Sequence, residues 1–134
     1  MKAFPLKIVT PDGVKFDGEV EQLIVRTTTG DIGFLAGHVN CVAPLGMGRA
    51  SIQIDGKKHY GACIGGMVSV MNGHANLVPT TFEWVEEIDA DRAEASYQRA
   101  KKTIDDKSNS DTDILLAKAR LRRALVRKGV VSMK

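Results

Sequence analysis

The stretch EEIDADRAEASYQRA, residues 86–100, is where the chain changes its period. Ala93, Tyr97, Ala100 and, just beyond, Ile104 recur at three- and four-residue spacing. That spacing predicts a helix with one narrow apolar stripe. Asp89 stands where an N-cap belongs, able to accept from the amide of Asp91 or Arg92. Arg92 then falls in the first turn, where the helix dipole disfavours a cation by about 0.3–1 kcal/mol. Two readings of that arginine stay open. It belongs to an ion-pair network between neighbouring segments, or it helps a helix end hold an anion that is not part of the chain.

Upstream, to about residue 85, the punctuation is that of a β protein. Turn signals fall at PDG (11–13), DG (17–18), TTGDIG (28–33), GMG (46–48), DGKK (55–58), GG (65–66) and NGH (72–74). Between them lie the short runs KIVT, EQLIVRT, SIQI, MVSVM and ANLV. SIQIDGKKHYGACI reads as a hairpin around Asp55-Gly56, and MVSVMNGHANLV as another around Asn72-Gly73. Many short strands in succession predict a sandwich or barrel. Twelve of the 13 glycines precede residue 75, so composition changes where the period does.

Downstream, DDKSNSDTD (105–113) is a polar break. Thr112 or Asp111 is placed to cap a second helix, with Asp113 in its first turn. Its predicted stripe is Ile114, Ala117, Leu121, Ala124 and Leu125. Arg127 and Lys128 occupy the predicted last turn, and Gly129 is the predicted C′ glycine. The expected fold is therefore α+β, mainly β then α: a β domain over 1–85 and an αα-hairpin over 86–134. The stripes are thin, and two helices of about 16 residues are marginal alone. The hairpin is expected to be the least stable part of the chain and able to undock.

Composition sets the outer bounds. Hydrophobic residues make up 43% and charged residues 26%, as in an ordinary globular protein. No apolar run is long enough to span a membrane. MKAFPLKIV at the start is too short and too weakly apolar for a signal peptide. Cys41 and Cys63 lack metal-ligand spacing and read as buried, reduced thiols of a cytoplasmic protein. The net charge of +3 conceals a polarity. Residues 1–85 are neutral, 86–113 carry −4 and 114–134 carry +7. No nucleophile–base pair or metal cluster points to catalysis. With 5% aromatic residues and none within the basic run, nucleic-acid binding is poorly supported.

VTPDG near the start, Gly30, Gly33, Gly37 and His38, APL at 43–45, GG at 65–66 and I-D-x-x-R-A at 88–93 occur together and in this order. In that combination the chain resembles the epsilon subunits of bacterial F-type ATP synthases. The resemblance covers the whole chain. It implies a β-sandwich of about ten strands, an αα-hairpin, and a non-catalytic place in the central rotor stalk between gamma and the c-ring. It also implies peripheral attachment at the cytoplasmic face of the bacterial cell membrane, only through the complex, and a monomeric isolated chain.

The resemblance also assigns roles. Gly30, Asp31, Gly33, Phe34 and His38 belong to the rotor-contact edge, although from the residues alone this stretch reads as a loop whose glycines supply positive φ angles. Ile88, Asp89, Arg92 and Ala93 match an ATP signature, joined by Glu83, Arg99 and Arg122. ATP would act as a regulatory ligand, with or without Mg²⁺, because no GxxxxGK[ST] loop accompanies the motif. Nucleotide-binding relatives carry another arginine one turn after Arg122, where this chain has Val126. The run KARLRRALVRK (118–128) reads by default as a solvated face. The resemblance makes Lys118, Arg120, Arg122, Arg123 and Arg127 an inhibitory face for acidic segments of the alpha and beta subunits. The alternative within the family is a purely structural subunit whose motif is vestigial.

Overall fold

A computed structural model describes residues 2–133. Met1 and Lys134, the outer ends of the two expected domains, lie outside the described residues. Ten strands precede two helices. They are β1 (Phe4–Thr10), β2 (Gly13–Val20), β3 (Gln22–Thr27), β4 (Gly30–Phe34), β5 (Cys41–Pro44), β6 (Met47–Ile54), β7 (Lys57–Ile64), β8 (Met67–Met71), β9 (His74–Val78) and β10 (Thr81–Trp84). One sheet has the order β2-β1-β9-β8-β5 and the other β10-β7-β6-β3-β4. All pairings are antiparallel except β1 with β9. Alternate residues of both sheets point inward, so Leu6, Ile8, Val20, Leu23, Val25, Phe34, Ile52, Val68 and Leu77 fill one core. The fold is the expected sandwich.

Both predicted tight hairpins form. Asp55 and Gly56 have φ of 50° and 79°, and Asn72 and Gly73 have 52° and 81°, the paired positive angles that match the twist of the flanking strands. Other turn signals are wholly or partly strand. Asp17-Gly18 lies inside β2, where the two residues pair with Lys7 and Leu6. The chain has already reversed at Pro11-Asp12, and β2 runs on to bury Val20. The expected glycine loop is in large part strand β4, paired with β3 from Thr27↔Gly30 to Leu23↔Phe34. The turn is confined to Thr28-Thr29, because Phe34 must reach the core.

A short 3-10 turn (Val85–Glu87) leads to α1 (Ala90–Asp105) and α2 (Asp111–Val131). Ser110, not Thr112 or Asp111, caps α2, its hydroxyl accepting from the Asp113 amide at 3.2 Å. Nor does Gly129 end the helix; α2 continues to Val131. Tertiary packing carries it past the glycine, since Val130 is buried against Ala62, Val85 and Ile88, with Tyr60, Val126 and Val131 around them. This cluster docks the hairpin on the sandwich. Between the helices the seam is made of Ala93, Ala100, Ala117 and Ala124. Leu125, expected on the stripe, is 47% exposed. Among the described residues, no helix is long and apolar enough to cross a membrane.

Candidate functional site

The mouth of α1 is built as its sequence predicts. Asp89 Oδ1 accepts from the amides of Asp91 at 3.0 Å and Arg92 at 3.1 Å. Capping consumes this carboxylate oxygen and fixes the entry angle of α1. Ile88 before it is buried, and Ala93 one turn on is buried in the helix seam. Beside this corner lies a cavity of about 240 Å³ lined by Glu83, Glu87, Ile88, Asp89, Arg92, Ala93, Ser96, Arg99 and Arg127. Six of the seven residues expected at the nucleotide site thus meet at one place.

The seventh, Arg122, does not: it is exposed and lines no part of this cavity. Its place is taken by Arg127, whose Nε lies 2.6 Å from Glu83 Oε1 in a half-buried pair. The difference is one of helical register. Each residue turns the helix by about 100°, and the rotation of α2 is set by Val126 and Val130 facing the sandwich. An arginine at 126 would aim a charge into that apolar contact. With this rotation Arg123 and Arg127, one turn apart, face α1, and Arg122 faces solvent.

A second cavity of about 470 Å³ adjoins the first and shares Ser96, Arg99 and Arg127 with it. Ala100, Thr103, Ala117, Arg120 and Arg123 complete its wall. Four arginines converge here without a carboxylate in the lining. Among the described residues, Arg92, Arg99, Arg120 and Arg123 have no ion pair. The interhelical network expected between the acidic and basic segments reduces, among the described residues, to one tie. Lys128 Nζ lies 2.6 Å from Glu94 Oε2 and 4.1 Å from the centre of the Tyr97 ring. Hydrogen bonds from Gln98 and Lys128 hold the Glu94 carboxyl below its ordinary pKa. One flank of the helix seam is therefore neutralised and the other is cationic.

The expected rotor edge divides as well. Phe34 is 1% exposed and packs in the core, with His38 edge-on to it at 4.7 Å, so it presents no face to a partner. Leu35 and Val39 are the exposed apolar residues of that loop. Asp31 pairs with Arg26 at 2.6 Å and lines a groove below the end of α2, away from the tip. Gly30 and Gly33 are strand residues, and only Gly30 of the two has a positive φ. Of the cysteines, Cys63 is buried, which pushes its thiol up to about 12, but Cys41 is only half-buried. Both are free thiols.

The family model described as the ATP synthase delta/epsilon chain β-sandwich domain matches residues 3–85, and that of the long α-helix domain matches residues 86–130. The chain belongs to the ATP synthase delta/epsilon family. Within that family, the ATP synthase epsilon chain of Bacillus subtilis is 42% identical over 114 residues, covering 85% of this chain and 86% of the relative. That of Bacillus cytotoxicus is 36% identical across the full length of both chains. In solved structures, a chain of the Euglena gracilis mitochondrial ATP synthase superposes with a TM-score of 0.84 at 21% identity, covering 98% of this chain and 82% of that one. One from the Tetrahymena thermophila mitochondrial ATP synthase central stalk and c-ring gives 0.63 at 16%, covering 95% of each. At such identities these superpositions establish the shared fold.

Proposed function

We propose that the chain is a non-catalytic central-stalk subunit of an F-type ATP synthase, and that a nucleoside triphosphate held against the hairpin sets its conformation. The observation that carries this reading is the arginine cluster around the two joined cavities. Like charges brought together on folding repel. A polyanion between Arg92, Arg99, Arg123 and Arg127 would turn that repulsion into charge-assisted hydrogen bonds that exist only in the closed hairpin. Glu83 and Asp89 at the mouth offer acceptors for a base, and buried Ala93 leaves room for it.

The same placement supports the inhibitory role of the basic helix. In the folded hairpin Lys118, Arg120 and Arg122 of the basic face are exposed, while Arg123 and Arg127 are half-buried beside the helix seam. The whole face becomes available to acidic surfaces of alpha and beta only when the helices part. A shift from 1:99 to 99:1 between the two shapes needs about 5.5 kcal/mol of differential binding. The stalk contacts to gamma and the c-ring belong to the sandwich, with Leu35 and Val39 at the exposed tip beside His38. Attachment at the cytoplasmic face of the membrane then follows from the complex. A purely structural subunit remains the competing reading, and titration decides between them. ATP should bind the purified chain measurably by calorimetry, and Asp89→Ala with Arg92→Ala should abolish the heat. Equal binding by the double variant would sink the site.

A further inference from the structure

Away from the cleft between the helices, a groove of about 280 Å³ runs where α2 meets the sandwich. Its walls are largely apolar: Ile24 of β3 and Gly48 of β6 on one side, and Leu125, Val126, Gly129 and Val130 of α2 on the other. Leu125, absent from the helix seam, belongs to this wall. Two guanidinium groups complete the lining. A Cβ at Gly48 would fall 2.6 Å from Arg26 Cβ, so the glycine is what lets the Arg26 stem cross β6. Asp31, 2.6 Å from Arg26 Nε, neutralises that charge. Arg49 has no carboxylate partner among the described residues. Its Nη1 donates to the Met133 thioether at 2.9 Å, and its guanidinium stands 5.7 Å from the centre of the Tyr60 ring. A thioether is a weak acceptor. A carboxylate arriving there exchanges a poor partner for a strong, bidentate one.

We infer that this groove is a binding site for a small amphiphile, a carboxylate head on a short alkyl tail. Arg49 holds the head, and the tail lies between Ile24 and Leu125. Size and charge favour that class. At about 30 Å³ for each water-sized group, the space takes about nine non-hydrogen atoms, the size of octanoate and too little for a peptide helix or strand. Two arginines against one aspartate leave a single positive charge to meet a single carboxylate. Such a ligand touches the sandwich and α2 at once, so it fits only the docked hairpin. Its binding therefore stabilises docking by mass action. The groove shares no residue with the cavity at the mouth of α1, and its ligand acts whether or not a nucleotide binds there.

The test is titration of the full chain with octanoate at fixed pH and ionic strength, read by calorimetry and by amide exchange. At ten times its Kd, octanoate should slow exchange in α1 and α2 about tenfold and leave the sheet amides unchanged. Acetate, which lacks the tail, and 1-octanol, which lacks the charge, should each bind about tenfold more weakly or worse. Arg49→Ala should weaken octanoate about tenfold. Gly129→Leu, built into open space on the groove wall, should abolish binding and by itself slow helix exchange. Lys7→Ala, which removes an exposed charge from the other sheet, should change nothing. Circular dichroism checks that each variant is folded. Absence of octanoate binding, equal binding by Arg49→Ala or by 1-octanol, or binding without slower helix exchange overturns the site. Two other occupants would show themselves in place of octanoate. Sedimentation as a dimer that Arg49→Ala restores to monomer gives the groove to a second copy, and retention on phosphatidylglycerol vesicles that Arg49→Ala abolishes gives it to a membrane surface.

Discussion

The sandwich buries Leu, Ile, Val and Phe from both sheets, whereas the seam between the two helices buries alanines. Each fully buried large side chain contributes about 1.5–3 kcal/mol, and an alanine far less. The two halves of one chain are thus held by different means. The sandwich carries its own core. The hairpin depends on Val130 and its neighbours docking on the sandwich, on the Glu83–Arg127 pair and, among the described residues, on one interhelical ion pair. What this difference teaches is that the hairpin, seamed by small residues, has less apolar burial of its own to hold it than the sandwich has.

One substitution made in each half should give opposite signs, and the sandwich side should be the larger effect. Gly66 has φ 94°, and a Cβ there would lie 2.0 Å from the carbonyl oxygen of Val78. Gly66→Ala should cost about 3–5 kcal/mol in urea unfolding, through strain and a backbone clash between β8 and β9. Gly129 sits inside α2 with open space where a Cβ would go. Gly129→Ala should instead stabilise the hairpin by about 0.5–1 kcal/mol, read as slower amide exchange in α1 and α2. A destabilised Gly129→Ala would restore the C′ role that the structure denies this glycine.

Between those extremes lies the docking contact. Val130 is 1% exposed against Ala62, Val85 and Ile88. Val130→Ala should cost about 2 kcal/mol, and the cost should fall on the hairpin. Hydrogen exchange should speed up through both helices while β-sheet amides keep their protection. If sheet and helix amides accelerate together, the two halves unfold as one unit and the contrast drawn here fails.

The features that were legible in the sequence are those with local causes. Asp89 caps α1 because its carboxylate needs only the two amides that follow it, and Asp55-Gly56 turns because the pair accepts positive φ. The features that were not legible are set by distant contacts. Which arginines of α2 face α1 depends on Val126 and Val130 finding the sandwich, and no local signal in the basic run says that Arg123 and Arg127 line the cavities while Arg122 is exposed. In the same way Phe34 read as loop because its glycine neighbours dominate the stretch, while its burial comes from pairing with Leu23 across β3 and β4.

The smallest expected effect separates the halves by pH. Glu94 in α1 and Asp106 in the connection to α2 both sit below their ordinary pKa, Glu94 through hydrogen bonds from Gln98 and Lys128, Asp106 through that from the Ser108 hydroxyl. A carboxyl depressed in the folded state binds fewer protons there than when unfolded. Its contribution is therefore full above the usual carboxylate range and is lost as pH falls through the depressed value. Both groups are exposed, so each contributes little by itself. Their protonation also removes negative charge from beside a helix that carries an excess of arginine, which adds to the repulsion among the arginines of the second cavity. In the sandwich Glu21, between β2 and β3, is also held below its ordinary pKa, chiefly by the Gly56 amide, but it lies outside the apolar core, so acidification from about pH 7 to about pH 3 should release hairpin amides before sheet amides. In Glu94→Gln the hairpin should be weaker at neutral pH and less sensitive to acid. Unaltered acid sensitivity in that variant would mean that the Lys128–Glu94 tie does not hold the helices together, and the hairpin would then rest on its docking contact alone.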